Sequence, residues 1–175
     1  VIMPAAIMFP LLTTGHYAGG KWEMGVIEVV WGGGMLIGGA ILSTFKLKGS
    51  KVVAVNVMYV LLGLTFIVSG ALPACWFVGF VLTTAIGGIS LSVFNGCFTA
   101  IVQTEVSPDK LGRVFSLYYS LAVLPSVIGL LFTGLIAEVI GVNISFIISG
   151  CLAILVGILS FGTRNLMQLD KIKNV

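Results

Sequence analysis

The sequence predicts an all-α membrane protein of six transmembrane helices, the first of them truncated. Three observations predict it. Only 9% of the 175 residues are charged and 58% are hydrophobic, whereas water-soluble domains carry roughly a quarter charged residues. Apolar runs of about 20 residues recur, the length a helix needs to cross a hydrocarbon core of about 30 Å. No run alternates apolar and polar residues as a transmembrane barrel strand must, so helices, which satisfy their own backbone groups, are the spanning form.

The first apolar run ends at Thr14. It is short for a span, and the chain opens on Val1 with no basic segment of the signal-peptide kind before it. It reads as a cut through a helix of a longer protein. The second segment, Val26 to Phe45, carries Gly34 and Gly38 inside WGGGMLIGGA, the spacing that lets two helix backbones approach. The basic loop KLKGSK leads to the third, Val52 to Ala71. The fourth, Trp76 to Val102, carries Thr84, Gly88, Ser92, Gly96 and Ala100 at four-residue spacing, a smooth face for a neighbour. The hydrophilic stretch VSPDKLGRVFSL separates it from the fifth, Val114 to Ala137. In that stretch Ser107 can cap a helix start, Pro108 suits the first helical position, and Asp109 suits the positive end of the helix dipole. The sixth segment, Val142 to Phe161, precedes the polar tail TRNLMQLDKIKNV.

Six spans put loops two and four and the tail on one side. That side holds Lys46, Lys48, Lys51, Lys110, Arg113, Arg164, Lys171 and Lys173, against Lys21 alone opposite. By the positive-inside rule the loops at 46–51 and 105–113 and the C-terminus are cytoplasmic, in a multi-pass protein of the cell membrane. The bases occupy loops and tail rather than one face, so the net charge of +3 does not point to nucleic acid. Cys75, Cys97 and Cys151 are widely spaced and form no metal or disulfide pattern. His16, the only histidine, lies by an outer loop, and no Ser-His, His-Asp or metal-ligand grouping falls within the spans. The sequence therefore gives no sign of an enzyme, a metal site or a cofactor.

Ionisable and polar groups inside spans are the candidate functional residues, because a charge in lipid costs several kcal/mol. Glu28 leads them, with Trp31 about one turn away. Its carboxyl either exchanges a proton near neutral pH or snorkels to the outer interface beside Lys21 and Glu23. Asn95 is the most cavity-like amide. Tyr118 and Tyr119 either stack on a substrate or anchor at the interface. Pro125 and Gly129 mark either a hinge or a fixed kink in the fifth segment.

At this point the pattern resembles a known family. GHYAGGKWEMGVIEVVWGGGMLIGG and the Pro-x(3)-Gly-Arg-Val-Phe-Ser stretch at 108–116 are similar to the carboxy-terminal half of major facilitator superfamily transporters, and more narrowly to macrolide-efflux-type drug exporters. The resemblance covers essentially all of residues 1–175. It implies a major-facilitator-type six-helix bundle, one half of a twelve-helix protein, whose partners are the missing amino-terminal half, the bilayer, a small-molecule substrate and protons. It implies export of amphipathic compounds, with Glu28 for proton coupling and Trp31, Asn95, Tyr118 and Tyr119 on cavity helices. It also implies cytoplasmic gate contacts by Lys48, Lys51, Glu105, Asp109 and Arg113, although KLKGSK lacks the acidic residue of the family's basic motif. The family's antiporter signature lies outside this chain, and Pro125 and Gly129 do not reproduce it. Other readings on the same scaffold are a siderophore, lipid or metabolite carrier. From another class, a non-transporting membrane scaffold predicts no water-filled cavity between the helices.

Overall fold

The structure is a computed structural model that describes the backbone of residues 2–44 and 51–162, and the side chains of 8–44, 52–123 and 139–160. Six helices follow one another: α1 (Ile2–Gly15), α2 (Lys21–Thr44), α3 (Lys51–Ala71), α4 (Phe77–Glu105), α5 (Pro108–Ile140) and α6 (Val142–Gly162). No strand occurs among the described residues, and the all-α, six-helix expectation holds. Helices α2, α3, α4 and α6 are each long and apolar enough to cross a membrane. The 14 residues of α1 rise only about 21 Å, short of a full crossing.

The helices are longer than the apolar runs, and this corrects one expectation. The region 105–113 is not a loop. Glu105 ends α4 and Pro108 begins α5, so most of the hydrophilic stretch is the first turns of α5. Val106 is extended at φ −108° and ψ 133° and closes α4 by donating its N–H to the Val102 carbonyl. Ser107 starts α5 through its backbone carbonyl, which accepts the Lys110 N–H at 2.9 Å, and its hydroxyl makes no capping bond. Pro108 holds the first helical position as expected. Lys48 and the rest of 45–50 lie outside the described residues.

Short connections make successive helices run antiparallel. The end carrying Lys51, Lys110 and Arg113 is called the basic end below; the turns 16–20 and 72–76 and Gly141 lie at the opposite end. Side by side, the helices form a row in the order α2, α4, α3, α6, with α1 laid over it and α5 touching α1, α4 and α6.

Glycines hold this row together. In lipid no hydrophobic effect drives helices together, so close van der Waals contact between backbones must do so. At the α2–α4 seam a β-carbon on Gly34 would sit 2.5 Å from the Ala85 carbonyl oxygen, and one on Gly38 2.7 Å from that of Ile89. Gly88 abuts the Trp31 carbonyl in the same way, and Gly96 abuts Leu42. The sequence marks the small-residue faces of α2 and α4 without pairing them, and gives no sign of a second seam between α3 and α6. There a β-carbon on Gly63 would lie 2.9 Å from the Gly150 oxygen and one on Gly150 2.5 Å from the Gly63 oxygen. Gly70 meets Asn143, and Gly157 meets Val60.

A second device ties α1 to the row. Phe9 is 4% exposed, and its ring meets Trp31 of α2, Phe66 of α3, Phe80 of α4 and Phe146 of α6 at centroid distances of 5.0–6.0 Å. Beyond α1 the turn is pinned by Tyr17, which stacks on Phe80 at 4.7 Å and 10° and donates its hydroxyl to the Ser69 carbonyl at 2.7 Å. That carbonyl needs an outside donor, because the residue four positions on is Pro73, which has no N–H. His16 Nε2 reaches the Leu72 carbonyl at 2.8 Å beside it. Gly20, opening α2, donates its N–H to the Glu23 carboxylate at 2.7 Å, the reach-back half of a capping box.

Three substitutions test this architecture. Gly150→Leu forces α6 off α3 and lowers the melting temperature of the detergent-solubilised protein, by an overpacking cost of about 1–3 kcal/mol or more. Gly33→Ala, where a β-carbon meets nothing within 4 Å, leaves melting unchanged. Tyr17→Phe strands the Ser69 carbonyl and costs about 1–3 kcal/mol. Burial pushes the Tyr17 phenol up to about 12, above its ordinary value of about 10. The stability the phenol supplies is therefore full below about pH 10 and lost as pH climbs through about 12, so the gap between wild type and Tyr17→Phe closes over that range.

Candidate functional site

Two kinds of polar side chain stand out in the described helices, beside Asn56, which is buried with no hydrogen bond among the described residues. Most hydroxyls bond a carbonyl of their own helix three or four residues back: Thr13 to Phe9, Thr65 to Leu62, Thr84 to Phe80 and Ser90 to Ile86, all at 2.7–2.8 Å. Ser69 and Thr83 share a bond between α3 and α4 at 2.7 Å. These groups are satisfied, and they sit on packed faces. Glu28, Asn95 and the hydroxyls of Tyr118 and Tyr119 differ: they are exposed and have no hydrogen-bond or ion-pair partner among the described residues.

Glu28 projects from the half of α2 far from the basic end. The packed face of α2 carries Ile27, Gly34 and Gly38. Helical geometry turns Glu28 roughly 100° from Ile27, onto an open face with Gly25 and Gly32, where added β-carbons meet nothing within 4 Å. Trp31, one turn along, goes the other way. Its ring lies 5.0 Å from Phe9, and Gly87 is needed beneath it, since a β-carbon there would come within 2.9 Å of the indole. Trp31 thus fills the junction of α1, α2 and α4.

Tyr118 and Tyr119 meet nearer the basic end, beside the stretch of α4 that carries Asn95. Asn95 is three residues from Phe98 on one face of α4, the spacing of side-chain neighbours on a helix. Phe98 packs on Tyr118 of α5 at 4.8 Å, and Tyr118 touches Tyr119 at 5.3 Å. Behind them Phe94 stacks on Phe98 at 6.3 Å and 8°, and Tyr59 of α3 meets Phe94 at 5.4 Å. A run of rings therefore crosses α3, α4 and α5, and Phe115 extends it past Tyr119 at 6.4 Å. Sequence reading singled out the two tyrosines and missed Phe98, Phe94 and Tyr59. The available signal was the four-residue spacing of Phe94 and Phe98, which an ordinary apolar helix also shows.

At the basic end Asp109 and Arg113 are exposed one turn apart on α5 and make no ion pair among the described residues. Glu105 is exposed at the end of α4. The side chain of Lys51 lies outside the described residues, as do those of Pro125 and Gly129, through which α5 continues as helix. No group of three or more metal-ligating side chains occurs among the described residues.

Macrolide efflux protein A of Streptococcus pyogenes is 35% identical to this chain over 170 residues, covering 97% of the chain and 42% of its own length. The protein of the same name from Enterococcus faecalis is 35% identical over 130 residues, covering 74% of the chain and 40% of its own length. An uncharacterized MFS-type transporter of Bacillus subtilis, YfiS, is 36% identical over 81 residues, covering 46% of the chain and 19% of its own length. This chain belongs to the major facilitator superfamily. It spans less than half the length of these relatives. It matches no protein-family model and no solved structure.

For a major facilitator chain the two kinds of polar group have distinct uses. Satisfied hydroxyls tolerate lipid or a packed neighbour. An unpaired carboxyl, amide or phenol at membrane depth needs water, a ligand or another protein surface. Packing and openness separate Trp31 from Glu28 experimentally. Trp31→Ala empties the junction with Phe9 and costs about 3 kcal/mol or more, read as a fall in detergent melting temperature, whereas Glu28→Gln leaves melting unchanged.

Proposed function

We propose that this chain is the carboxy-terminal six-helix bundle of a secondary transporter that exports small amphipathic compounds across the cell membrane in exchange for protons. The similarity to the macrolide efflux proteins along 97% of the chain carries this reading, and the unpaired polar groups on open helix faces are consistent with it. The other half of the relatives' length supplies the amino-terminal bundle. It meets the open faces of this one, and the passage lies between them. The basic end faces the cytoplasm by the positive-inside rule.

In this mechanism the two bundles rock about the substrate site so that it opens to each side in turn. The glycine seams keep α2, α4, α3 and α6 moving as one body. Glu28 takes up a proton from the outer side, and its charge, once released, is compensated across the passage rather than within this bundle. Asn95, Tyr118 and Tyr119 line the inner part of the passage. Asp109 and Arg113, which make no ion pair among the described residues, pair across the closed cytoplasmic side with the other half, in a set of gate contacts that also includes Glu105, Lys48 and Lys51. Position 125, at a proline, and position 129, at a glycine, lie mid-way along α5 and supply its bending point.

Export by the full-length protein in proteoliposomes, driven by an imposed proton gradient, tests the proposal. Wild type accelerates with the gradient, and Glu28→Gln loses the acceleration, a fall of roughly tenfold or more. Gradient-driven export by Glu28→Gln at the wild-type rate removes Glu28 from coupling. Absence of any export by wild type removes the transport reading.

A further inference from the structure

Phe98 was not a candidate on sequence, yet it is the ring on which the inner group of residues converges. It is partly exposed, and it joins the Tyr59–Phe94 pair to the two tyrosines of α5. Tyr118 and Tyr119 are 39% and 62% exposed, so the run is a surface and not a closed core. Its edges are polar and unsatisfied: the Asn95 amide offers two donors and an acceptor, and each tyrosine hydroxyl a donor and an acceptor. No charged residue occurs on α4 between Phe77 and Gln103 or on α5 between Val114 and Ala137.

We infer that Phe98 is a substrate-contacting, specificity-determining residue, and that the aromatic surface takes an uncharged ligand with a broad apolar face edged by carbonyl or hydroxyl groups. This rests on the transport reading above. Aromatic rings supply flat apolar contact at little conformational cost, and they gain beyond simple area when rings meet rings. The amide and phenols satisfy the ligand's polar edge without a charge. An ionised acid finds no cation on these stretches of α4 and α5, the nearest on α5 being Arg113 at the basic end, and would lose its hydration with none beside it. The phenylalanine ring sits between Tyr118 and Phe94, so a flexible aliphatic side chain there removes the flat contact while still filling the space.

Binding to the purified full-length transporter, followed by fluorescence, tests this. The probes are Nile red, a neutral planar dye with a carbonyl edge, and carboxyfluorescein, an anionic dye of similar breadth. Nile red binds wild type more tightly than carboxyfluorescein does. Phe98→Leu raises the Nile red Kd by about fivefold or more, the size expected for one lost ring contact. Phe98→Tyr restores the affinity to near wild type. Both variants melt within a few degrees of wild type, which separates contact from folding. An unchanged Kd in Phe98→Leu overturns the role of Phe98. Tighter binding of carboxyfluorescein, or no Nile red binding by a wild type that exports a macrolide, overturns the ligand class. A wild type that exports nothing overturns the transport reading itself.

Discussion

Backbone-to-backbone contact through glycine is the constraint on which the rest of this bundle depends. At Gly34, Gly38 and Gly88 on one seam and Gly63, Gly70 and Gly150 on the other, a single β-carbon would press into a carbonyl of the neighbouring helix. Contacts this close give four helices a shared van der Waals surface where lipid offers no alternative drive to association. They also fix the row α2, α4, α3, α6, and that order determines which faces are covered. The face of α2 bearing Ile27, Gly34 and Gly38 is used up by α4, and the face bearing Glu28 is left over.

The aromatic hub and the Tyr17 clasp are consequences of the same order. Among the described residues, α1 is held at points. Phe9 reaches all four helices of the row through its ring. Tyr17 then supplies the hydrogen bond that Pro73 denies to Ser69, and that bond joins the end of α1 to the end of α3. Helix α5, by contrast, is bridged to α4 near the basic end by Phe98 and Tyr118. On that part of α5 the glycine makes no such contact: a β-carbon on Gly112 would meet nothing within 4 Å.

The sequence reading recovered the helices and the small-residue faces of α2 and α4, because hydropathy runs and four-residue spacing are local signals, but not that these two faces meet. It missed the α3–α6 seam, since Gly63 with Gly70 and Gly150 with Gly157 are seven residues apart, and each glycine alone looks incidental. It set the hydrophilic stretch at 105–113 as a loop because charge marks the water boundary, whereas a helix crosses that boundary freely when its first turn is capped and exposed. The candidate residues were legible by type but not by direction. Glu28 and Trp31 are one turn apart, yet one is open and the other is packed against Phe9. Only the position of α4 and α1 beside α2 separates them. Phe98 was invisible because its meaning comes from Tyr118, on another helix.

That separation supplies a physical criterion for which helix faces in a bundle of this kind need polar surroundings. A hydroxyl bonded to its own helix carries no demand on its surroundings, so Thr13, Thr65, Thr84 and Ser90 are compatible with packed, dry faces. A carboxyl, an amide and two phenols without partners among the described residues demand polar surroundings, and at membrane depth only water, solute or a second protein surface provides them. Glu28, Asn95, Tyr118 and Tyr119 stand off the glycine seams on exposed faces of α2, α4 and α5, whereas Ser92 sits in the α2–α4 seam and Asn56 is buried. For those four exposed residues, rigidity and polarity fall on different faces. α4 shows this most directly: Gly88 is locked against α2, while Asn95, two turns on, stands open beside the ring of Phe98.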